Sequence, residues 1–166
     1  MSIKQLDVLV VDDHKLIRDM IGHVLSALEC KRVRYVADGG AAYAEILNAP
    51  PNLVICDFHM PIDGLQLLNK VRRGPNSPDI ALPIIMMTSL TDRKRIMALR
   101  DAGATEVIAK PITAGAVLGR IAAVIDSPRR FVNARTFVGP CRRRRADPAY
   151  TGPHRRASER AVVDLE

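Results

Sequence analysis

The amino-acid sequence predicts an α/β fold: a doubly wound parallel sheet of five strands in a (βα)5 arrangement, with strand order 2-1-3-4-5. Two observations lead to this prediction. Short apolar runs alternate along the chain with segments whose apolar residues recur at helical spacing, as expected where helices connect parallel strands. The length of 166 residues fits one domain with an appendage, since a domain commonly has about 100 to 150 residues. Right-handed crossovers would place helices on both faces of the sheet.

Five apolar runs, rich in Val and Ile, are predicted to be the strands. Each is too short for a helix, and most are bounded by polar or turn residues. The runs are Asp7 to Val11, Arg32 to Val36, Leu53 to Asp57, Pro83 to Thr88 and Glu106 to Ala109.

The helices are predicted from apolar residues spaced three and four apart. This spacing is clearest from Ile17 to Leu28 and from Val117 to Ile125. Weaker patterns predict three further helices, over Gly40 to Asn48, Gly64 to Arg72 and Asp92 to Asp101. One helix therefore follows each predicted strand.

The cysteines and the hydropathy pattern bear on location. Cys30, Cys56 and Cys141 stand far apart without a CxxC pair, which predicts neither a disulfide framework nor a zinc site and fits a reducing cytoplasm. No apolar run reaches the roughly 18 residues of a membrane span, and no signal-peptide core follows the N-terminus. We therefore expect a soluble cytoplasmic protein without a transmembrane segment.

Charge divides the chain into two parts. Of the 25 basic and 18 acidic residues, residues 1–126 hold 15 and 14, whereas residues 127–166 hold ten arginines and four acidic residues. Arg, Pro and Gly dominate the second part, with little periodicity. We expect a folded domain over 1–126 and a basic, arginine-rich, irregular and largely disordered extension over 127–166.

Carboxylates are predicted to meet at one edge of the sheet. Asp12 and Asp13 follow the first strand and Asp57 closes the third, and these strands are neighbours in the predicted order. Bare carboxylates repel one another, and Mg²⁺ prefers such oxygen ligands. Thr88 closes the fourth strand and Lys110 follows the fifth, so a hydroxyl and an ammonium group would face the ion. The set suits a phosphoryl group.

In this arrangement the chain resembles the receiver domain of two-component response regulators, which has the flavodoxin- and CheY-like fold. The resemblance covers about residues 5 to 126. It depends on an ordered set of positions: Asp12-Asp13, Asp57 with "MP" behind it at Met60-Pro61, Thr88, and "KP" at Lys110-Pro111. The separations of 44, 31 and 22 residues between Asp13, Asp57, Thr88 and Lys110 are similar to those of the family.

The resemblance implies a role for each of these residues. Asp57 would accept a phosphoryl group from a phosphohistidine of a histidine kinase or phosphotransfer protein. Asp13 and Asp57, with the backbone carbonyl of His59, would bind Mg²⁺, and Asp12 would contact the ion through water.

Two more positions have implied roles, and one position departs from the family. Lys110 would pair with phosphoryl oxygens, Thr88 would donate to one of them as part of the switch, and Pro111 would follow a cis peptide bond. Val107 stands where the family generally has the Tyr or Phe of the switch. A smaller side chain there cannot transmit the same volume change.

The extension contains an internal repeat, "FVGPCRRRR" from Phe137 and "YTGPHRRAS" from Tyr150. It is similar to arginine-rich extensions of CheY-like proteins that bind cyclic diguanylate, and guanidinium groups suit both phosphate and guanine. The ligand-binding residues would be Arg142, Arg143, Arg144, Arg145, Arg155 and Arg156. Nucleic-acid binding through charge, docking on an acidic protein or membrane surface, and a merely solvated tail remain open.

Two classes of function compete for the domain itself. The first is a single-domain response regulator that acts by contact with an unidentified downstream protein and is not an enzyme. The second is a phosphohydrolase of the haloacid-dehalogenase kind, which also uses an aspartate nucleophile and Mg²⁺. That family has a second Asp two residues after its nucleophile, and "DFHM" at Asp57 lacks it. No helix-turn-helix pattern is present, so sequence-specific DNA binding is not expected.

Overall fold

The computed structural model describes residues 3–60, 63–89, 93–141 and 162–163. Its main sheet is parallel, with the strands in the order β2-β1-β3-β4-β5. The strands are β1 (Asp7–Val11), β2 (Arg32–Val36), β3 (Leu53–Asp57), β4 (Ile84–Thr88) and β5 (Glu106–Ala109). The predicted fold class and strand order are confirmed.

A helix follows each strand of this sheet. The helices are α1 (Lys15–Ala27), α2 (Gly39–Asn48), α3 (Gly64–Arg73), α4 (Arg93–Asp101) and α5 (Ala114–Asp126). Three of them begin after a residue whose side chain accepts hydrogen bonds from backbone N–H groups of the first turn, namely Asp38, Asp63 and Thr113. These caps satisfy donors that would otherwise have no partner at a helix start.

The core has two layers because successive strand residues point to opposite faces of the sheet. Leu9 and Val11 pack with buried residues of α2, α3 and α4 on one face. Val8 and Val10 pack with α1 and α5 on the other. Since β1, β3 and β4 are buried along their whole length, the polar residues at their carboxyl ends are held by a rigid, close-packed support.

The prediction of an irregular extension from residue 127 onward is wrong for residues 131–140. Phe131–Ala134 (β6) and Phe137–Pro140 (β7) pair as an antiparallel hairpin, and β6 also pairs with Val162–Val163 (β8). The apolar residues that begin and end this segment are buried against the domain. The division at residue 126 stays a prediction.

The hairpin is held on the ends of α3 and α4. The Phe131 side chain is buried beneath the guanidinium group of Arg72, whose Cζ lies 5.5 Å from the ring centroid. Arg72 is itself buried and donates from Nε to the carbonyl of Gly103 at 2.8 Å. Gly139 packs so closely on Gly103 that a Cβ on Gly139 would lie 2.7 Å from the Gly103 Cα. The glycines therefore permit this backbone approach.

Candidate functional site

Four strand ends bring the polar residues of the predicted site to one edge of the sheet. Asp12 follows β1, Asp57 ends β3, Thr88 ends β4 and Lys110 follows β5. The side chains of Asp12, Asp57 and Thr88 are buried. Parallel pairing places Asp57 opposite Met87 and Thr88 opposite Ala109. The carboxyl ends of the strands thus meet where the doubly wound topology forms a crevice.

Lys110 joins the two buried carboxylates. Its Nζ lies 3.0 Å from Asp57 Oδ1 and 3.5 Å from Asp12 Oδ2. The backbone N–H of Lys110 donates to the carbonyl of Thr88 at 2.8 Å, and the peptide bond to Pro111 is cis, as the resemblance implied. The ammonium group thus lies close to both carboxylates, and its charge offsets part of their mutual repulsion.

Asp57 has a buried oxygen that the surrounding protein does not fully satisfy. Its Oδ1 forms the ion pair with Lys110, but it accepts no well-directed hydrogen bond within the part of the chain that the structure describes. Burial raises the pKa of the Asp57 carboxyl, and Lys110 and the backbone N–H of His59 act in the opposite direction. An incompletely compensated carboxylate of this kind attracts a cation or an electrophilic phosphorus.

A second group of potential ligands lies at the start of α1. Single ligand atoms of Asp12, Asp13 and His14 lie within 4.8 Å of one another. His14 Nδ1 is 2.7 Å from Asp13 Oδ1 and 3.4 Å from Asp12 Oδ1. The backbone N–H of His14 donates to Asp12 Oδ1 at 2.8 Å, while Arg18 Nη1 donates to the backbone carbonyl of Asp12 at 2.6 Å. The loop after β1 is therefore held in place by its own side chains and by Arg18 of α1.

This donor set fits Mg²⁺, which receiver domains generally use at an acidic pocket. The ion takes oxygen ligands from one or two carboxylates and keeps several waters. Asp13 is partly exposed, and the buried Asp57 Oδ1 lacks a hydrogen-bond partner among the described residues. The predicted ligand set of Asp12, Asp13, Asp57 and the His59 carbonyl is compatible with these positions and stays a prediction.

Sequence reasoning missed His14 and Arg18. His14 directly follows the two aspartates, so its place on a short strand-to-helix loop was an available signal that an imidazole lies beside them. Arg18 had no such signal, because its contact with the Asp12 carbonyl depends on how the first turn of α1 packs against the loop. Side chains that bind backbone groups are difficult to assign before the backbone path is known.

Of the other site residues predicted from the sequence, the structure describes Val107 and His59 but not the six arginines. Val107 lies in β5 and packs into the core on the side of α2, α3 and α4. His59 has an exposed side chain whose ring meets that of Phe58 edge to face, with centroids 4.8 Å apart. The six arginines predicted to bind a ligand lie outside the described residues: Arg142, Arg143, Arg144, Arg145, Arg155 and Arg156.

The fold and the strand-end site together define a receiver domain, and comparison with known proteins agrees. The family model "Response regulator receiver domain" matches residues 8–122, and the chain belongs to this family. It is therefore a CheY-like receiver of two-component signalling. This confirms the family that the sequence was found to resemble.

Individual relatives and solved structures agree with this family assignment. The chain is 35% identical over 125 residues to "Probable chemotaxis protein CheY" of Rhizobium etli, covering 75% of this chain and 95% of the relative. The structure of the chemotaxis response regulator CheY4 of Vibrio cholerae matches with a TM-score of 0.65 and 30% identity, over 72% of this chain and 98% of that one.

A multidomain relative matches in part. The chain is 38% identical over 113 residues to a protein-glutamate methylesterase/protein-glutamine glutaminase of Trichodesmium erythraeum, which amounts to 65% of this chain and 31% of that protein. Because the match covers under a third of that protein, the enzyme activity in its name does not transfer to this chain. Within the described residues, no helix is long and apolar enough to cross a membrane.

Proposed function

We propose that this chain is a single-domain response regulator that accepts a phosphoryl group on Asp57 in a Mg²⁺-dependent reaction and signals by contact with another protein. The observation that carries the proposal is the buried Asp57 carboxylate at a strand end, with Lys110 Nζ 3.0 Å from its Oδ1. Membership of the receiver family supports the same role. The phosphoryl donor would be a histidine kinase or a phosphotransfer protein.

The residues of the site suit an in-line phosphoryl transfer. An oxygen of Asp57 attacks the phosphorus of the donor phosphohistidine, the phosphorus–nitrogen bond breaks, and the imidazole leaves with a proton. Lys110 pairs with the charge on the transferred oxygens, and the Thr88 hydroxyl donates to one of them. Asp13, Asp57 and the His59 carbonyl, with Asp12 through water, would hold Mg²⁺, which would supply further positive charge to the phosphoryl oxygens.

A signalling switch is favoured over a hydrolase by two features. The matched family is that of receiver domains, and the sequence after Asp57 lacks the second aspartate of the haloacid-dehalogenase motif. We propose that the phosphorylated chain acts on a downstream protein and catalyses no separate reaction. Three thiols without a disulfide are consistent with a cytoplasmic location. Cyclic diguanylate stays a predicted ligand, because its arginines lie outside the described residues.

The test is phosphorylation by acetyl phosphate with Mg²⁺. The wild-type chain is expected to gain one acid-stable, base-labile phosphoryl group, and Asp57→Asn none. Asp38→Asn is a matched control, because the Asp38 side chain is engaged in capping α2 and Asn caps comparably. Label on Asp57→Asn, or sustained turnover of a phosphate ester by the wild type, contradicts the proposal, and turnover supports the hydrolase instead.

A further inference from the structure

A cavity of about 380 Å³ lies between α3 and α4. Five of the side chains that line it are apolar: Phe58, Leu65, Ala98, Leu99 and Ala102. Leu99 is buried and Ala98 is exposed, so the cavity extends from the core to the surface between the two helices. Sites for small ligands commonly have volumes of about 300 to 1,000 Å³, and this cavity can therefore hold one bulky apolar group.

The two helices beside the cavity are strongly basic. They hold seven of the 15 basic residues and one of the 14 acidic residues of 1–126. Asp63 and Asp92, which directly precede them, bring the count to three acidic residues, so the remainder of this part holds eight basic and eleven acidic residues. Arg73 and Arg93 are exposed. The domain is therefore electrically polarised, with net positive charge beside the cavity and net negative charge elsewhere.

This charge indicates what can occupy the crevice that the cavity and the two helices form. The arginine-rich extension, with ten arginines and four acidic residues over 127–166, would meet a surface of its own sign. A second copy of the chain, paired symmetrically, would bring the same basic helices to the contact. Like charges brought together at an interface oppose association. Charge complementarity therefore favours an acidic partner.

We propose that the crevice between α3 and α4 binds an acidic segment of a partner protein, which inserts one bulky apolar side chain into the cavity. A nucleic-acid backbone is acidic but gains little from a concave apolar wall. A protein segment offers both carboxylates for the basic helices and an aliphatic or aromatic anchor for the cavity. The inference rests on the proposed function, because it identifies the surface through which the phosphorylated chain would signal.

Thr88 links the crevice to the proposed phosphorylation site. It is buried, it lines the cavity, and it ends β4, where its hydroxyl is predicted to donate to a phosphoryl oxygen. Phe58, a second lining residue, directly follows Asp57. A phosphoryl group on Asp57 would thus act on two residues of the cavity wall. By linkage, phosphorylation and the bound segment would affect each other's free energies equally.

The test uses a displayed library of random peptides of about twelve residues, long enough for three helical turns. Excess polyglutamate during selection on the wild-type chain suppresses peptides that bind arginines through charge alone. We expect the selected peptides to carry acidic residues around a Leu, Phe or Trp. Replacing that apolar residue by Ala should weaken binding by about tenfold or more.

Two pairs of variants locate the binding site. Ala98→Phe fills the cavity from its exposed side and should weaken binding about tenfold or more, whereas Ala122→Phe, at an exposed alanine of α5 outside the cavity lining, should leave it unchanged. Arg73 lies four residues after Asn69, a lining residue, and thus on the same side of α3. Arg73→Glu should weaken binding about threefold to tenfold, and Lys31→Glu, an equal charge change at an exposed residue, by less than about twofold.

Four results would overturn the inference. Peptides that bind Ala98→Phe and the wild type equally tightly occupy another surface. Selected peptides without acidic residues show that charge does not direct the partner. A single-stranded oligonucleotide whose binding falls in Ala98→Phe but not in Ala122→Phe assigns the crevice to nucleic acid, and self-association that Ala98→Phe abolishes assigns it to a second copy. Urea denaturation checks that Ala98→Phe folds, and Arg73→Glu tests the same crevice independently.

Failure of this inference is distinguishable from failure of the proposed function, because selection needs no phosphodonor. If acetyl phosphate labels Asp57 but no peptide depends on Ala98, only the docking surface is wrong. If peptides bind in the crevice and Asp57 is never labelled, the phosphoacceptor role is wrong and the surface stands. When both hold, labelling should change peptide affinity by about fivefold or more, and equal affinity for both forms would overturn the assignment of this surface to signalling.

Discussion

The backbone of Gly64 packs directly on the carbonyl group of Asp57, so closely that a side chain at position 64 would overlap the carbonyl oxygen. A Cβ there would also lie 3.1 Å from the Sγ atom of Cys56. Gly64 begins α3 and its N–H donates to the carbonyl of Phe58 at 3.3 Å. The start of this helix and the proposed phosphoacceptor are thus held in one rigid contact, which makes the loop between them sensitive to any added atom.

Gly64→Ala should therefore disturb both stability and phosphorylation. We expect the free energy of unfolding to fall by about 2 to 3 kcal/mol, because backbone must move to relieve the overlap. Labelling of Asp57 by acetyl phosphate should slow as well. Urea denaturation and the labelling rate measure the two effects. Gly119→Ala is the matched control: a Cβ there meets nothing within 4 Å, and the change should be neutral or stabilising by up to about 1 kcal/mol. A stable, fully active Gly64→Ala contradicts the packing described above.

Asp57→Asn should stabilise the fold at neutral pH when metal ions are removed with EDTA. Burial raises the pKa of the Asp57 carboxyl in the folded chain, so the folded state binds more protons than the unfolded state between the two pKa values. Stability then falls as pH rises through that interval, and the ionised carboxylate costs stability above it. We expect a gain of about 1 kcal/mol at pH 7 that disappears below the unfolded pKa. Denaturation at several pH values tests this, and a loss of stability at pH 7 contradicts it.

Lys110→Met should lower the stability of the folded chain at neutral pH, whereas Asp57→Asn should raise it. Without the ammonium group, the buried carboxylates of Asp12 and Asp57 lose the cation that they share. We expect the free energy of unfolding at pH 7 to fall by about 2 kcal/mol and labelling of Asp57 to slow by about a hundredfold. Lys15→Met is the control, because Lys15 pairs only with Asp19 among the described residues, on the surface of α1, and should cost less than about 0.5 kcal/mol. Equal effects of the two substitutions would argue against Lys110 as the central cation.

The hairpin of β6 and β7 should be a stable part of the folded domain. Phe131→Ala removes a buried ring from beneath the Arg72 guanidinium, and we expect a loss of about 3 kcal/mol. Hydrogen exchange should show protected amides within residues 131–134 and 137–139 in the wild type and loss of this protection in the variant. Thr136→Ala, an exposed change in the turn, is the control and should have little effect. Unprotected amides in the wild-type hairpin would contradict this part of the fold.

The three thiols should differ in their reaction with an alkylating reagent. Burial raises the pKa of Cys30, and burial with the nearby Asp57 charge raises the pKa of Cys56 far above the range of a reactive thiol. Cys141 is only partly buried, at the end of the hairpin. Mass spectrometry at neutral pH should therefore find Cys141 modified first and Cys56 last. Modification of Cys56 ahead of Cys141 in the folded chain would show that β3 opens readily.

Much of the fold followed from local patterns in the sequence. The ends of the strands and helices were predicted to within a few residues, because a buried parallel strand needs a continuous apolar run and an amphipathic helix needs apolar residues at helical spacing. The strand from Pro83 proved to begin at Ile84, since proline has no N–H to pair in a sheet. The same topology brings Asp12, Asp57 and Lys110 together, because parallel strands present their carboxyl ends at one edge.

The sequence by itself determined the alternation of strands and helices and the positions of the acidic and basic residues at the strand ends. Only the tertiary structure decided which groups come into contact: Phe131 beneath Arg72, Gly64 on the Asp57 carbonyl, and His14 against Asp13. Periodicity reports which face of an element is apolar. Side-chain direction and close backbone approach depend instead on how whole elements pack, so ten residues of an arginine-rich segment could form an ordered hairpin that composition did not indicate.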